Sequence, residues 1–291
     1  MNAIKRMFWN DGQCRLRMVW RLLIQFNLFV TMLAGLAVIP KVLGESPASV
    51  VILASVYLAA GLALACLLAR FIDHRPLADY GFHVTCRWWL DFGFGLFLGA
   101  ALMTGIFLAE RFAGWVRVQA PAVTTSGLAP VKALLLSIFF YVVVAFNEEF
   151  AFRGFQFRNL AEGLAGWRLG SRAALLCACA VSSAAFGLAH ITNDNSTVLS
   201  TINIMLAGLL LSLPYLLTGE LAVPIGMHTA WNLFQAAVFG FPVSGSAPKR
   251  RVLIPEQDGP VLWTGGDFGP EGGILATIAL VVGCGLIALW V

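Results

Sequence analysis

Phe146–Asn147–Glu148–Glu149–Phe150–Ala151–Phe152–Arg153–Gly154 closes the apolar run of residues 131–146. The run has the character of a membrane helix. A charge at the centre of such a helix costs roughly 2.5–3.5 kcal/mol before it is paired. Two adjacent carboxylates and an arginine there mark a functional site. Glu149 and Arg153 are four apart, share a helix face and can form an ion pair. Glu148 lies about 100° round the helix and is left to point elsewhere. One reading is a neutral polar knot that fixes helix packing. In the sharper reading Arg153 holds Glu149 while Glu148 does chemistry against a partner helix.

Outward from this stretch, the 291 residues are 59% hydrophobic and only 12% charged, where a soluble domain carries about 25%. The fold class is an all-α polytopic membrane protein, with about eight transmembrane helices around an intramembrane polar cavity. A hydrocarbon core of about 30 Å calls for about 20 apolar residues per helix. The expected spans are 19–40, 48–70, 90–109, 131–164, 173–191, 198–217, one starting near 221, and 273–291. They form one membrane domain, 1–291, and 129–239 is the part that carries the three polar motifs, the candidate catalytic core. Gly95 and Gly99 in the third span are a small-xxx-small pair that lets helices approach closely. Residues 110–130, with Thr124, Thr125 and Ser126, read as an amphipathic loop, and 241–270 as a Gly/Pro-rich loop with Lys249, Arg250 and Arg251.

His74 and His83 read as solvated interface residues, and Trp88 and Trp89 as a headgroup boundary. The six cysteines sit mostly in apolar runs and suggest neither a disulfide framework nor a thiolate metal site. Lys5, Arg6, Arg15, Arg17 and Arg21 lead into an apolar stretch too long for a signal peptide. The net charge of +4 reads as loop arginines near lipid headgroups, with no nucleic-acid partner. The distribution of basic residues, Arg168 among the inner ones, puts both termini in the cytoplasm. The expected location is the plasma (inner) membrane of a prokaryote.

Three spans carry polar groups inside apolar runs: Glu148, Glu149 and Arg153 on the fourth, His190 on the fifth, His228 and Asn232 on the seventh. His228 and Asn232 share a helical face, and Phe186, four before His190, can wall its ring. In hydrocarbon the cheapest partners for such groups are one another. They are the parts of a water-activating hydrolase. A desolvated carboxylate serves as base while a histidine orients the water. An imidazole N–H and an Asn amide donate to an oxyanion. No serine or cysteine stands beside a candidate base as covalent catalysis needs. Glu148, His190 and His228 could instead hold zinc with water in the fourth position. The shared face of His228 and Asn232 suits two donors aimed at one oxygen, which favours a bare water.

Glu-Glu-x-x-x-Arg at 148–153, Phe-x-x-x-His at 186–190 and His-x-x-x-Asn at 228–232 occur in this order on successive spans. The ordered set, with Gly154 after Arg153, resembles the CAAX prenyl protease / bacteriocin-processing (CPBP, Abi) family of intramembrane endopeptidases over 129–239. The resemblance implies an eight-helix fold with a polar cavity open to lipid and to one aqueous face. It implies that Glu148 and His190 activate water, that His228 and Asn232 stabilise the oxyanion, and that Glu149 and Arg153 support the site. It also implies a peptide or prenylated-protein substrate, with the family described both as a metalloprotease and as metal-free. Two other classes compete: a non-catalytic scaffold or bacteriocin-immunity protein, and an ion-coupled transporter. The transporter reading lacks the repeats and paired broken helices it needs.

One feature conflicts with straight spans. Counted from Val131, Glu148 lies about 26 Å along its helix, and His190 about as far from the opposite side. The fourth helix must begin deeper, or the fifth must be tilted or short.

Overall fold

The computed structural model describes residues 7–44, 46–121, 130–165, 170–248 and 250–291. Lys5, Arg6, Thr124, Thr125, Ser126, Ala129, Arg168 and Lys249 fall outside them. A short antiparallel ribbon, β1 (Trp9–Asn10) with β2 (Arg15–Leu16), precedes α1 (Met18–Leu36) and α2 (Val38–Leu43). Helix α3 (Pro47–Leu67) runs on as a π-helical segment to Asp73. Next come α4 (Cys86–Phe112) and β3 (Val116–Pro121). Then α5 (Pro130–Glu149), a π-helical segment Phe150–Phe157 and α6 (Arg158–Ala165) follow without a break. They lead to α7 (Ser171–Leu188), α8 (Val198–Thr218) and α9 (Ala222–Asn232), the last continued as a π-helical segment to Val238. β4 (Leu253–Gln257) and α10 (Ile274–Trp290) complete the order.

The chain is an all-α polytopic membrane protein. Among the described residues, six helical segments are long and apolar enough to cross a membrane, from Met18–Leu43 to Val198–Thr218. The seventh and eighth expected spans are shorter. Ile274–Trp290 has 17 residues, and α9 has 11 residues, every one buried. Even with its π-helical continuation to Val238 it remains short, and the burial of every α9 residue places it inside the bundle. Gly95 and Gly99 on α4 face the backbone of Val223, Met227 and Trp231, and Gly226 on α9 faces the backbone of Phe92 and Leu96. A Cβ at any of the three would overlap its partner's backbone. The small-xxx-small pair thus does what the sequence suggests. Around this contact Leu98, Leu102, Met103, Met227, Trp231 and Leu280 form the main buried cluster.

Two readings of the loops are corrected. Residues 116–121 are not simply an amphipathic loop: β3 pairs antiparallel with β4, with Val116 opposite Gln257. Val116–Arg117–Val118–Gln119 alternates apolar and polar, the period of a strand; Val116 is fully buried, while Val118 is exposed at the sheet's rim. Trp88 is no headgroup marker either. It is buried and its Nε1 donates to the Gly81 carbonyl at 3.0 Å, while Trp89 is exposed. His74 and His83 are exposed as expected, with His83 against Glu220 at 2.8 Å. All six cysteines are free.

The arginines also depart from the expected placement at lipid headgroups. Arg15, Arg21, Arg75 and Arg158 converge on Asp73 and Glu162. Arg21 lies 2.9 Å from Asp73 and Arg15 2.6 Å from Glu162. Arg75 grips Glu162 with two contacts of 2.9 Å, and Arg158 lies 3.3 Å from the same carboxylate. Tyr80 Oη and Asn159 Nδ2 donate to the other Asp73 oxygen at 2.8 and 2.9 Å. The network ties the N-terminal ribbon, α1, the turn after α3 and α6 into one polar knot. Sequence separations of up to 147 residues hide it from any local reading.

Gly99→Val should lower the melting temperature in detergent, because overpacking costs about 1–3 kcal/mol. Gly93, on the exposed side of α4 with no atom near an added Cβ, should accept alanine without a fall. Equal melts for the two variants would mean that α4 and α9 do not touch at Gly99.

Candidate active site

The acidic motif sits where α5 gives way to its π-helical continuation, a local widening often found at functional sites. The Glu149–Arg153 pair forms at 3.0 Å with both side chains fully buried. The same Glu149 oxygen, Oε1, also lies 2.7 Å from His228 Nδ1. Arg153 donates in addition to the Gly208 carbonyl at 3.2 Å and lies 4.4 Å above the Phe186 ring. Glu148, one residue earlier, is 21% exposed at its side chain, against 0% for Glu149. Its nearest ionic neighbour is His228 Nε2 at 3.8 Å, beyond a hydrogen bond. The two neighbouring carboxylates thus differ in environment: Glu149 is buried and paired, and Glu148 is partly exposed.

His190 lies in the turn just past the end of α7 and not within the helix. That turn runs through Asn195 at positive φ to the Thr197–Ser200 capping box that starts α8. His190 Nδ1 donates to the Phe186 carbonyl at 2.8 Å, the tautomer that in a neutral ring leaves the lone pair on Nε2. The Phe186 ring stands edge-on to His190 at 4.9 Å and also faces His228 at 6.2 Å.

The depth conflict resolves in the length of the fourth helix. The continuous segment Val131–Ala165 has 35 residues, and α7 returns from its far end. Glu148 lies 17 residues before Ala165 and His190 19 residues after Ser171. Both are thus roughly 26–28 Å from the neighbouring ends of α6 and α7 at 1.5 Å per residue.

Glu148, His190, His228 and Asn232 all line one cavity of about 650 Å³. Its floor is polar. Apolar residues of α3 and α5, among them Val50, Leu53, Phe140 and Val144, form a long wall. The cavity also holds residues the sequence reading passed over. Glu271 accepts from the Ser244 backbone N–H at 2.6 Å and from its hydroxyl at 2.9 Å. Burial pushes the Glu271 carboxyl above its ordinary range, against the pull of those hydrogen bonds. Asn203 donates to the carbonyls of Glu271 and Gly273, both at 2.8 Å. Asn203 sits mid-run in the sixth span and Glu271 just before the last. The rule that picks out Glu148 would have found Asn203, whereas Glu271 lies in a glycine-rich turn outside any apolar run.

Electrostatics constrains His228. With Nδ1 donating to buried Glu149, a neutral ring presents a lone pair at Nε2. A donor role for Nε2 requires the doubly protonated ring. That form also brings Glu148, Glu149, Arg153 and His228 together to zero net charge, the least costly state for a desolvated cluster. The zinc alternative fares worse. Among the described residues no three His, Cys, Asp or Glu side chains gather around a point that could hold a metal ion. His228 Nδ1 and His190 Nδ1 both face protein acceptors, as the outer nitrogen of a metal-bound imidazole also does, so these bonds do not decide between water and zinc. The Glu148–His190–His228 set does not fit zinc in this arrangement.

Fold and site define a helical membrane protein with a carboxylate, two imidazoles and an amide around a cavity inside its spans. Residues 130–234 match the family model of Rce1-like type II CAAX prenyl endopeptidases, and the match supports membership of the CPBP family of intramembrane endopeptidases. The matched segment carries all three motifs. Comparison with curated proteins and with solved structures gave no match.

Arg153→Ala strands Glu149 among buried neighbours, and breaking a buried pair costs about 3–5 kcal/mol. Expression and the detergent melting temperature should both fall. A melt unchanged from wild type would mean that Glu149 does not depend on Arg153.

Proposed function

We propose that the chain hydrolyses a peptide bond within the bilayer, with Glu148 as general base. The observation that carries this reading is the contrast between the two neighbouring carboxylates. Glu149 is consumed by Arg153 and His228, while Glu148 lines the cavity with no ion pair shorter than 3.8 Å among the described residues. A water between the Glu148 carboxylate and the His190 Nε2 lone pair loses a proton to Glu148 as its oxygen attacks the carbonyl carbon. The oxyanion then receives hydrogen bonds from His228 Nε2–H and the Asn232 amide. Glu148 returns the proton to the leaving amine nitrogen as the C–N bond breaks. Glu149 holds the His228 ring in its donor orientation, the part a carboxylate plays behind many catalytic imidazoles.

The apolar wall of Val50, Leu53, Phe140 and Val144 beside this polar floor suits a substrate with a lipid-like group next to the scissile bond. A prenylated peptide, or another lipidated one, meets that description. The bilayer is the other partner, and no metal takes part in the steps above.

Glu148→Gln preserves size and hydrogen bonding but removes the base. It should give folded protein with turnover of a peptide panel reduced at least about a hundredfold, within the range of general-base contributions. Near-normal turnover would sink the assignment. Chelators should leave wild-type turnover largely intact; one zinc per chain, with activity following its removal and return, would decide against the bare water.

A further inference from the structure

Glu271 lines the cavity with Glu148 and His190, yet the mechanism above gives it no task. A buried carboxylate is costly and persists only where its surroundings hold it. This one is fixed from behind by two helices. Asn203 of α8 donates to the carbonyls of Glu271 and Gly273, both at 2.8 Å, and Thr277 of α10 donates to the Asn203 side-chain oxygen at 2.7 Å. In front, the carboxylate holds Ser244 through its backbone N–H at 2.6 Å and its hydroxyl at 2.9 Å. Ser244 has a φ of +45°, a left-handed conformation that persists in a non-glycine residue only where neighbours enforce it.

Ser244 passes the constraint on. Its carbonyl accepts from Asn193 Nδ2 at 3.0 Å, and the Asn193 backbone N–H donates to the His190 carbonyl at 3.1 Å. Beside it, a Cβ on Gly245 would overlap the Asp194 carbonyl, so the two turns meet backbone to backbone. His190 needs such support. It stands in a turn past the end of α7, where the regular ladder of the helix has ended. Glu148 is held by its own helix, so the distance between the two depends on what holds the turn.

We propose that Glu271 is a positioning residue, which through Ser244 and Asn193 holds the turn of His190 and so sets where that imidazole stands relative to Glu148. The inference rests on the peptidase reading and adds a residue to it. The role needs an acceptor oxygen at position 271 and no proton transfer.

Three variants separate acceptor from acid. Glu271→Leu removes the acceptor at similar volume, Glu271→Gln keeps an acceptor oxygen, and Asn193→Ala cuts the link further along. Turnover of a peptide panel is measured in nanodiscs. Glu271→Leu and Asn193→Ala should each lower kcat about tenfold to a hundredfold with KM within about twofold, the scale of a catalytic group misplaced by about 1 Å. Glu271→Gln, with its hydrogen bonds kept, should stay within about threefold of wild type. Glu271→Leu combined with Asn193→Ala should be no slower than the slower single variant, because the two residues act in series. Losses that multiply would overturn the link. Glu271→Gln as slow as Glu271→Leu would overturn the positioning role in favour of proton transfer.

A second readout needs no turnover. Protein isotope-labelled at Cε1 of its four histidines is compared by NMR in nanodiscs, with His190 assigned from His190→Gln. Glu271→Leu and Asn193→Ala should each move the His190 signal and leave that of His228, held by Glu149, in place. An unmoved His190 signal would overturn the proposal, as would equal shifts at both histidines, which mark a general loss of structure. If no peptide is turned over, the peptidase reading fails by itself, and the spectra still decide whether Glu271 holds His190. If Glu271→Leu does not fold, Glu271→Asp, whose shorter arm loosens the hold on Ser244, takes its place in both readouts.

Discussion

One oxygen of Glu149 serves two donors at once, Arg153 at 3.0 Å and His228 Nδ1 at 2.7 Å. A carboxylate with no exposure inside a membrane protein cannot stay unpaired, and this one is paired twice. The first partner lies on its own helix and closes locally. The second lies 79 residues away and fixes α9 against the acidic helix. Arg153 extends the constraint through the Gly208 carbonyl to α8 and through the Phe186 ring to α7. Four helices are thereby registered on a single side chain, and Glu148, next in the chain, is turned to the cavity.

That bond needs α9 at the centre, which is a matter of backbone approach. Gly95, Gly99 and Gly226 remove the side chains that would hold α4 and α9 apart. An interior helix need not match the bilayer thickness, so α9 can end at Asn232 and hand over to a π-helical turn. The acidic helix makes the same change just after Glu149. Both motif helices thus widen beside the residues they present.

What could be read from the sequence divides by range. Local periodicity placed the spans, the Glu149–Arg153 pair, the Phe186–His190 contact and the glycine face of α4, because each depends on residues three or four apart. The ordered motifs brought Glu148, His190, His228 and Asn232 to one site. The Glu149–His228 bond escaped, since spacing on one helix says nothing of which group another helix presents. The same holds for the arginines around Asp73 and Glu162, where loop position suggested lipid headgroups and the fold supplied buried carboxylates. The Val116–Gln119 alternation was present in the sequence but lay in a segment judged by its polarity alone.

The arginine knot and the active site occupy two points on one helix. Glu162 lies on α6 and Glu148 on α5, within the continuous segment Val131–Ala165. Arg15, Arg75 and Arg158 hold Glu162, and Asn159 joins it through Asp73. At that end of the segment α7 packs against α6. The depths of Glu148 and His190 are both measured from it, so a shift of the segment by one turn would move Glu148 about 5.4 Å while leaving His190 behind. A water cannot bridge two groups displaced by that much. Ion pairs remote from the cavity therefore hold Glu148 level with His190, which gives a polar knot outside the cavity a direct part in the geometry of the candidate site.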